Sequence, residues 1–308
     1  MNHQLPRRLA RGAIRLTNWL VDGVVLSVLM LVVLFTAYSV LDNNRVVGQA
    51  DEQVFESYRP EKNDDPSFEE LASQNPDVVG WLTLYGTGVD YPLVQGEDNE
   101  KYLNTNPAGE FALSGSLFLD WRCAGDFSDP STIIFGHHME NSLMFGDLDQ
   151  YGDSEYFEQH RYGNIYYGGR SHGVEVCAYL LVDAYDEVVY STTVGSSPTV
   201  DEFLAYLKEH AGQWVDGGLS ASDHMLVLST CGSGTNDRHV VIARITDQTF
   251  EDTYPDETVE RTLSGTAGEG MALWMKIGIG LLAFLLVAWV VGAPSRRRGR
   301  RAKKDEDV

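Results

Sequence analysis

The chain is 308 residues long, 43% hydrophobic and 11% aromatic, which excludes a disordered or fibrous protein and suits one medium domain between two apolar ends. The formal charge of −22 is unevenly placed, because the stretch from Leu41 to Gly270 carries 41 acidic against 11 basic residues, a net of −30. A domain of that sign repels a phosphate backbone, so nucleic acid is excluded as a partner.

In chain order, residues 1–15 form a basic tail, with Arg7, Arg8, Arg11 and Arg15 and no acid before Asp22. Leu16 to Leu41 is apolar enough for a transmembrane helix, since about 20 such residues cross about 30 Å of hydrocarbon. Asp22 falls within the first two turns, in reach of headgroups and water. A cleaved signal peptide is the competing reading. The run exceeds the usual apolar core of about 7–15 residues and no A-x-A-like site follows it, so an uncleaved anchor is expected. Residues 42–76 read as a helical lead-in and linker. A short helix is expected over Asp51–Tyr58 and an acidic linker over Pro60–Pro66. The capping box Ser67-Phe-Glu-Glu70 then opens a helix that stops near Asn75-Pro76, because a residue before proline avoids the helical region.

Between residues 77 and 250 the period changes. Short runs rich in Val, Ile, Tyr and Phe, divided by Gly, Asp, Asn or Ser, read as strands. They are Val78–Leu84, Val89–Val94, Ser114–Leu119, Thr132–Phe135, Asn164–Tyr167, Glu175–Val182, Glu187–Ser191, His224–Leu228 and Val240–Ile245. Regular short strands predict a barrel or a sandwich. One helix interrupts them at Val200–Trp214, with Phe203, Leu204, Leu207 and Trp214 at helical spacing as a face packed on the core. Residues 251–270 read as an acidic linker, 271–293 as a second transmembrane helix and 294–308 as a second basic tail. Lys276, the one charge in that second span, lies near its end and can snorkel. Basic tails beside both spans put both termini in the cytoplasm and the domain between them outside the cell.

Three cysteines, Cys123, Cys177 and Cys231, are present, and an odd count in an exported domain leaves a candidate reactive thiol. Cys231 follows the apolar run Met225-Leu-Val-Leu-Ser-Thr230 and opens a flexible one, Gly232-Ser-Gly-Thr-Asn236, so it is held on one side and open on the other. A buried or pairing cysteine is the plain alternative, and whether Cys123 and Cys177 bridge stays open. Only a thiolate attacks, so a base or cation is needed beside it. His137 and His138 end the strand Thr132–Phe135, just after Gly136. Arg238, seven residues after Cys231, suits an oxyanion donor, with Arg244 the alternative further along. A structural histidine and a surface arginine are the plain readings of these positions. There is no CxxC, HExxH or calcium-type loop and no glycine-rich phosphate loop, so no metal or cofactor is expected.

Together these residues resemble the sortase family, class B most closely. The resemblance is carried by Leu228-Ser-Thr-Cys231 followed by Arg238-His-Val-Val-Ile-Ala243. A second block is Ile133-Ile-Phe-Gly-His137-His-Met139 followed by Asn141-Ser-Leu-Met-Phe-Gly-Asp-Leu148, and a third is Asp98-Asn-Glu-Lys-Tyr-Leu103 followed by Gly115-Ser-Leu-Phe-Leu-Asp120. It spans roughly Asp51 to Ile245. It implies a mainly β fold, a closed eight-stranded barrel with short N-terminal helices and one helix before the last strands, here flanked by two transmembrane helices. It implies Cys231 as nucleophile, His137 rather than His138 as acid/base and Arg238 as oxyanion donor, with Asn99, Leu103, Ser229 and Thr230 lining the groove for a sorting signal. The implied activity is that of a membrane-anchored cysteine transpeptidase. It would cleave a C-terminal sorting signal of surface proteins or pilins through a thioacyl-enzyme and pass the acyl group to an amine of a peptidoglycan precursor or a pilin lysine.

The sequence departs from the pattern in three places. Phe135 stands where class B usually has tyrosine, the Cys231–Arg238 loop is short and glycine-rich, and a second span is commoner in the pilin-polymerising class C. No Asp-Pro-aromatic lid of that class precedes the first strand. Two rival readings fit the motifs less well, and of these an L,D-transpeptidase-like or other cysteine peptidase acting directly on cell-wall peptides stays the alternative. An L,D-transpeptidase-like enzyme acting on cell-wall peptides carries its glycine before the cysteine, and a wall-anchored substrate needs a proline-bearing pentapeptide where Arg261-Thr-Leu-Ser-Gly-Thr266 stands.

Overall fold

Short apolar runs drive the strands, and their order around the sheet decides which residues meet. The computed structural model describes residues 5–50, 55–60, 68–231 and 236–254. The strands are β1 (Val78–Leu84), β2 (Asp90–Val94), β3 (Leu117–Leu119), β4 (Ser131–Phe135), β5 (Tyr162–Tyr167), β6 (Arg170–Asp183), β7 (Gln213–Trp214), β8 (Met225–Cys231) and β9 (Asp237–Thr246). They pair in the order β5-β1-β2-β3-β4-β8-β9-β6, and a β5–β6 pairing closes the ring, so eight strands form the expected barrel. The two-residue β7 adds to β6 outside it. Two pairings, β2–β3 and β4–β8, are parallel. A parallel pair requires a crossover, and the one from β4 to β8 contains the helices α3 (Ser154–Gln159) and α4 (Val200–His210).

The pleat sorts residues to two sides. Leu226 and Leu228 of β8 and Val241 and Ala243 of β9 enter one core cluster with Leu82, Leu93, Ile134 and Phe145. Val227, Val240 and Ile242 face a second cluster with Phe203 and Leu207 of α4. α4 starts on a capping box in which the Thr199 hydroxyl accepts from Glu202 N–H and the Glu202 carboxylate accepts from Thr199 N–H. Such a cap contributes about 1 kcal/mol, and each fully buried Phe or Leu about 1.5–3 kcal/mol. A third cluster packs α2 (Phe68–Gln74) through Leu71 against Trp81, Tyr102 and Phe118.

Several expectations change here. Glu187–Ser191 is a turn, not a strand, because the Asp186 carboxylate accepts from the N–H groups of Val188 and Val189 and so satisfies them locally. The α4 helix stops at His210, since Ala211 is extended and Gln213–Trp214 pairs with β6. Over Asp51–Tyr58, only Glu56–Tyr58 is helical among the described residues, as a single 3₁₀ turn. Ser67, residues 255–270, the second apolar stretch 271–293 and the tail 294–308 lie outside the described residues.

The N-terminal helix, α1 (Leu5–Ala50), includes Thr17–Ser39, with mean hydropathy 2.5 and no burial against protein. At about 1.5 Å per residue, those 23 residues are long and apolar enough to cross a membrane. Two of its hydroxyls donate back along the helix, Ser27 to the carbonyl of Gly23 and Thr36 to that of Val32, which satisfies them without water.

Candidate active site

Two register facts bring the predicted residues together. In the antiparallel β8–β9 pair, Cys231 lies directly opposite Arg238. In the parallel β4–β8 pair, Phe135 lies opposite Ser229, and Gly136 N–H donates to the Ser229 carbonyl at 3.1 Å. β4 therefore runs out beside the end of β8, and His137, two residues beyond Phe135, leaves it at the level of Cys231. Gly136 has no room for a side chain, because a Cβ there would sit 2.4 Å from Leu117 and 2.7 Å from Phe145. Residues 232–235, between the thiol and the arginine, lie outside the described residues.

His137 is fixed at both backbone and ring. Its carbonyl accepts from Phe145 N–H at 3.0 Å, and its Nε2 lies 2.9 Å from the Leu103 carbonyl oxygen. A carbonyl only accepts, so Nε2 carries the hydrogen and Nδ1 is the second ring position for proton exchange. Leu103 thus orients the imidazole through its main chain, a role its side chain does not disclose. His138 turns elsewhere, with its Nε2 3.8 Å from Asp149 and its ring 6.5 Å from that of His239.

The two arginines also separate. Arg244 lies opposite Met225, at the far end of β8, and holds Glu175 with Nε at 2.9 Å and Nη2 at 2.6 Å. Arg238 pairs with no carboxylate among the described residues; its Nη1 reaches only the Asp237 carbonyl, at 3.3 Å. A guanidinium without an anion keeps its donors available for a developing oxyanion.

Beside these residues runs a groove of about 330 Å³ that includes His137, Arg238, Asn99, Leu103, Ser229 and Thr230 in its lining. All four residues expected to line a groove border this one. Thr230 and His239 are cross-strand partners, so they share a face of the sheet, whereas the Ser229 hydroxyl meets Tyr190. Sequence reasoning missed Tyr190, Asp120 and Arg122. The Tyr190 hydroxyl lies 2.9 Å from Ser229 Oγ, and its ring stacks on Phe135 with centroids 6.1 Å apart. Asp120 is fully buried on the groove wall and bound by Arg122 through Nε at 2.8 Å and Nη2 at 2.7 Å. Burial alone raises the Asp120 pKa, but the bonds from Arg122 and Asn99 outweigh it, and the carboxyl stays below its ordinary value. Only the Gly-Ser-Leu-Phe-Leu-Asp120 block marked this position in the sequence.

The other thiols take no part. Cys123 and Cys177 are both free and buried, so they form no bridge. Burial pushes the Cys123 thiol up to about 11 and the Cys177 thiol up to about 12, which leaves both protonated and unreactive. A larger hollow, about 400 Å³, lies over β1 and β5 between Arg59 and Phe250 and is lined by no cysteine or histidine. Among the described residues no group of three His, Cys, Asp or Glu side chains is arranged to hold a metal ion.

No family model matches the chain. Among curated proteins it is 33% identical over 162 residues to a sortase B of Listeria monocytogenes and 31% identical over 186 residues to a sortase B of Staphylococcus aureus. Those matches cover 53% and 58% of this chain, and 65% and 75% of the relatives' own lengths. Among solved structures, a sortase B from the type II pilus of Streptococcus pneumoniae is 44% identical, with a TM-score of 0.51, over 59% of this chain and 99% of that one.

Proposed function

The chain belongs to the sortase family and is class B-like, and from that premise we propose that it is a membrane-anchored cysteine transpeptidase acting on the sorting signals of surface proteins or pilins. Sortases are cysteine transpeptidases. The observation that carries this reading is the register that sets Cys231 opposite Arg238 at the level where His137 leaves β4, beside one groove.

The steps follow from the chemistry of these groups. The Cys231 thiolate attacks the carbonyl carbon of a Thr–Gly-type bond in the sorting signal. The carbonyl oxygen becomes an oxyanion, which the Arg238 guanidinium stabilises by donated hydrogen bonds. His137, as imidazolium, gives its proton to the leaving amine, and the C–N bond breaks to leave a thioester on Cys231. An incoming amine then attacks the thioester and loses a proton to His137, and the thiolate departs as the new amide forms. Asn99, Leu103, Ser229 and Thr230 border the groove that would hold the peptide. The acceptor is an amine of a peptidoglycan precursor or a pilin lysine, and the pilus origin of the pneumococcal relative favours the second.

The test is direct observation of the acyl-enzyme. Incubated with a sorting-signal peptide, the unmodified chain gains the mass of the N-terminal acyl fragment, and Cys231→Ala gains none. An adduct that persists in Cys231→Ala defeats the proposal.

A further inference from the structure

Asn99 has a fixed orientation. Its Oδ1 accepts from the Trp121 N–H at 3.0 Å, and one hydrogen of its Nδ2 goes to Asp120 Oδ2 at 3.1 Å. Turning the carboxamide over would face its NH₂ to an N–H and its oxygen to a carboxylate, so the network permits one assignment. One N–H of Asn99 remains, on a half-buried side chain that lines the groove. The group that fixes it is unusual: Asp120 is a wholly buried carboxylate, and it also accepts from the N–H, Nε and Nη2 of Arg122. A buried charge so fully bonded holds its geometry tightly, because each broken bond leaves an unsatisfied anion.

We propose that Asp120 is a positioning residue, which with the Trp121 N–H holds the Asn99 carboxamide so that its remaining N–H donates to a carbonyl oxygen of the sorting peptide. Arg122 is the cation that makes a buried carboxylate tenable there. The groove then reads an acceptor on the substrate, a main-chain or side-chain carbonyl, and disfavours a donor such as an ammonium at that point. This inference rests on the groove's being the peptide site.

The experiment is a double-mutant cycle on the full-length chain in detergent. The probe is the best-cleaved member of a fluorogenic pentapeptide library built around a Thr–Gly bond. Asn99→Ala and Asp120→Asn should each raise KM roughly tenfold and change kcat less than about twofold, and the double variant should match either single one, because the two side chains act as a unit. Multiplicative effects, or an unchanged KM in Asp120→Asn, overturn the proposal. If Asp120→Asn does not fold, Arg122→Gln carries the test, since that side chain is 44% exposed. Without its cation Asp120 takes up a proton more readily, and a neutral carboxyl is the weaker acceptor. The ratio of variant to wild-type KM should then climb as pH is lowered, and a flat ratio overturns the proposal. Wild-type turnover separates the two claims. If the wild type acylates while Asp120→Asn keeps its KM, only the role of Asp120 falls; if the wild type forms no acyl-enzyme, both fall.

Discussion

Phe135 lacks the hydroxyl that the family resemblance leads one to expect at its position, and a hydroxyl reaches the same wall from elsewhere. Tyr190 stacks on Phe135 and sets its own oxygen 2.9 Å from Ser229 Oγ, so the groove keeps a phenol on a different backbone. Replacing Tyr190 by Phe keeps the stacked ring and removes the hydroxyl's bond with Ser229 Oγ. Such a bond contributes about 0.5–1.5 kcal/mol to folding, so Tyr190→Phe should lower stability by about that much and, by releasing the Ser229 hydroxyl on the groove wall, raise KM for a sorting-signal peptide. Steady-state kinetics beside a thermal melt check this, and an unchanged KM sinks the idea that this hydroxyl shapes the groove. The roles proposed for Cys231, His137 and Arg238 came from the family resemblance, whereas their placement at strand ends was legible in the sequence, because each follows or opens an apolar run. Tyr190, Asp120 and Arg122 were not, because what they do depends on partners 39 positions away, as for Tyr190 and Ser229, or on burial that no local pattern reveals.

At the scale of elements, the turn that carries Tyr190 owes its shape to one side chain. Asp186 accepts from the N–H groups of Val188 and Val189 with one oxygen, and its other takes the Tyr206 hydroxyl of α4 at 2.7 Å. The run Val188-Val189-Tyr190 has the composition of a strand, and its sequence alone predicts one; a carboxylate that completes the backbone bonds locally decides otherwise. β1 read correctly to the residue because its run is apolar and mostly buried and no such competitor sits beside it. α4 is the support under this arrangement, with Phe203 and Leu207 fully buried against the strands. Leu207→Ala should cost about 2–5 kcal/mol and Thr199→Ala about 1 kcal/mol in denaturant unfolding of the full-length chain. A Leu207→Ala penalty below that of Thr199→Ala would contradict the packing of α4 described above.

For the whole molecule, acid and membrane set the working conditions. Burial lowers the pKa of His172 and of His239, so the fold holds both rings neutral. The unfolded chain takes up protons at these positions first, near the ordinary value of 6.5, and therefore binds more protons than the native state as pH falls. Stability from these rings is complete above the ordinary histidine range and declines as pH drops through it. The melting temperature should fall on acidification from about pH 7.5 to about pH 5.5, and His172→Gln should flatten that slope. A slope unchanged by His172→Gln would remove that ring from the account. The barrel unit starts at Arg45, and the apolar part of α1 precedes it. Arg7, Arg8, Arg11 and Arg15 on the near side of that helix favour a cytoplasmic N-terminus, and a reaction on exported proteins demands the barrel on the other side. With the basic cluster from Arg296 to Lys304 following residues 271–293, the proposed topology has two passes and both ends inside. Epitope tags at the two termini should therefore resist protease added to intact protoplasts and be lost only after lysis, while an antibody to the barrel binds without lysis. A C-terminal tag cleaved from outside would leave the N-terminal anchor standing and sink the second pass. An N-terminal tag cleaved from outside would reverse the barrel and remove the enzyme from its substrates.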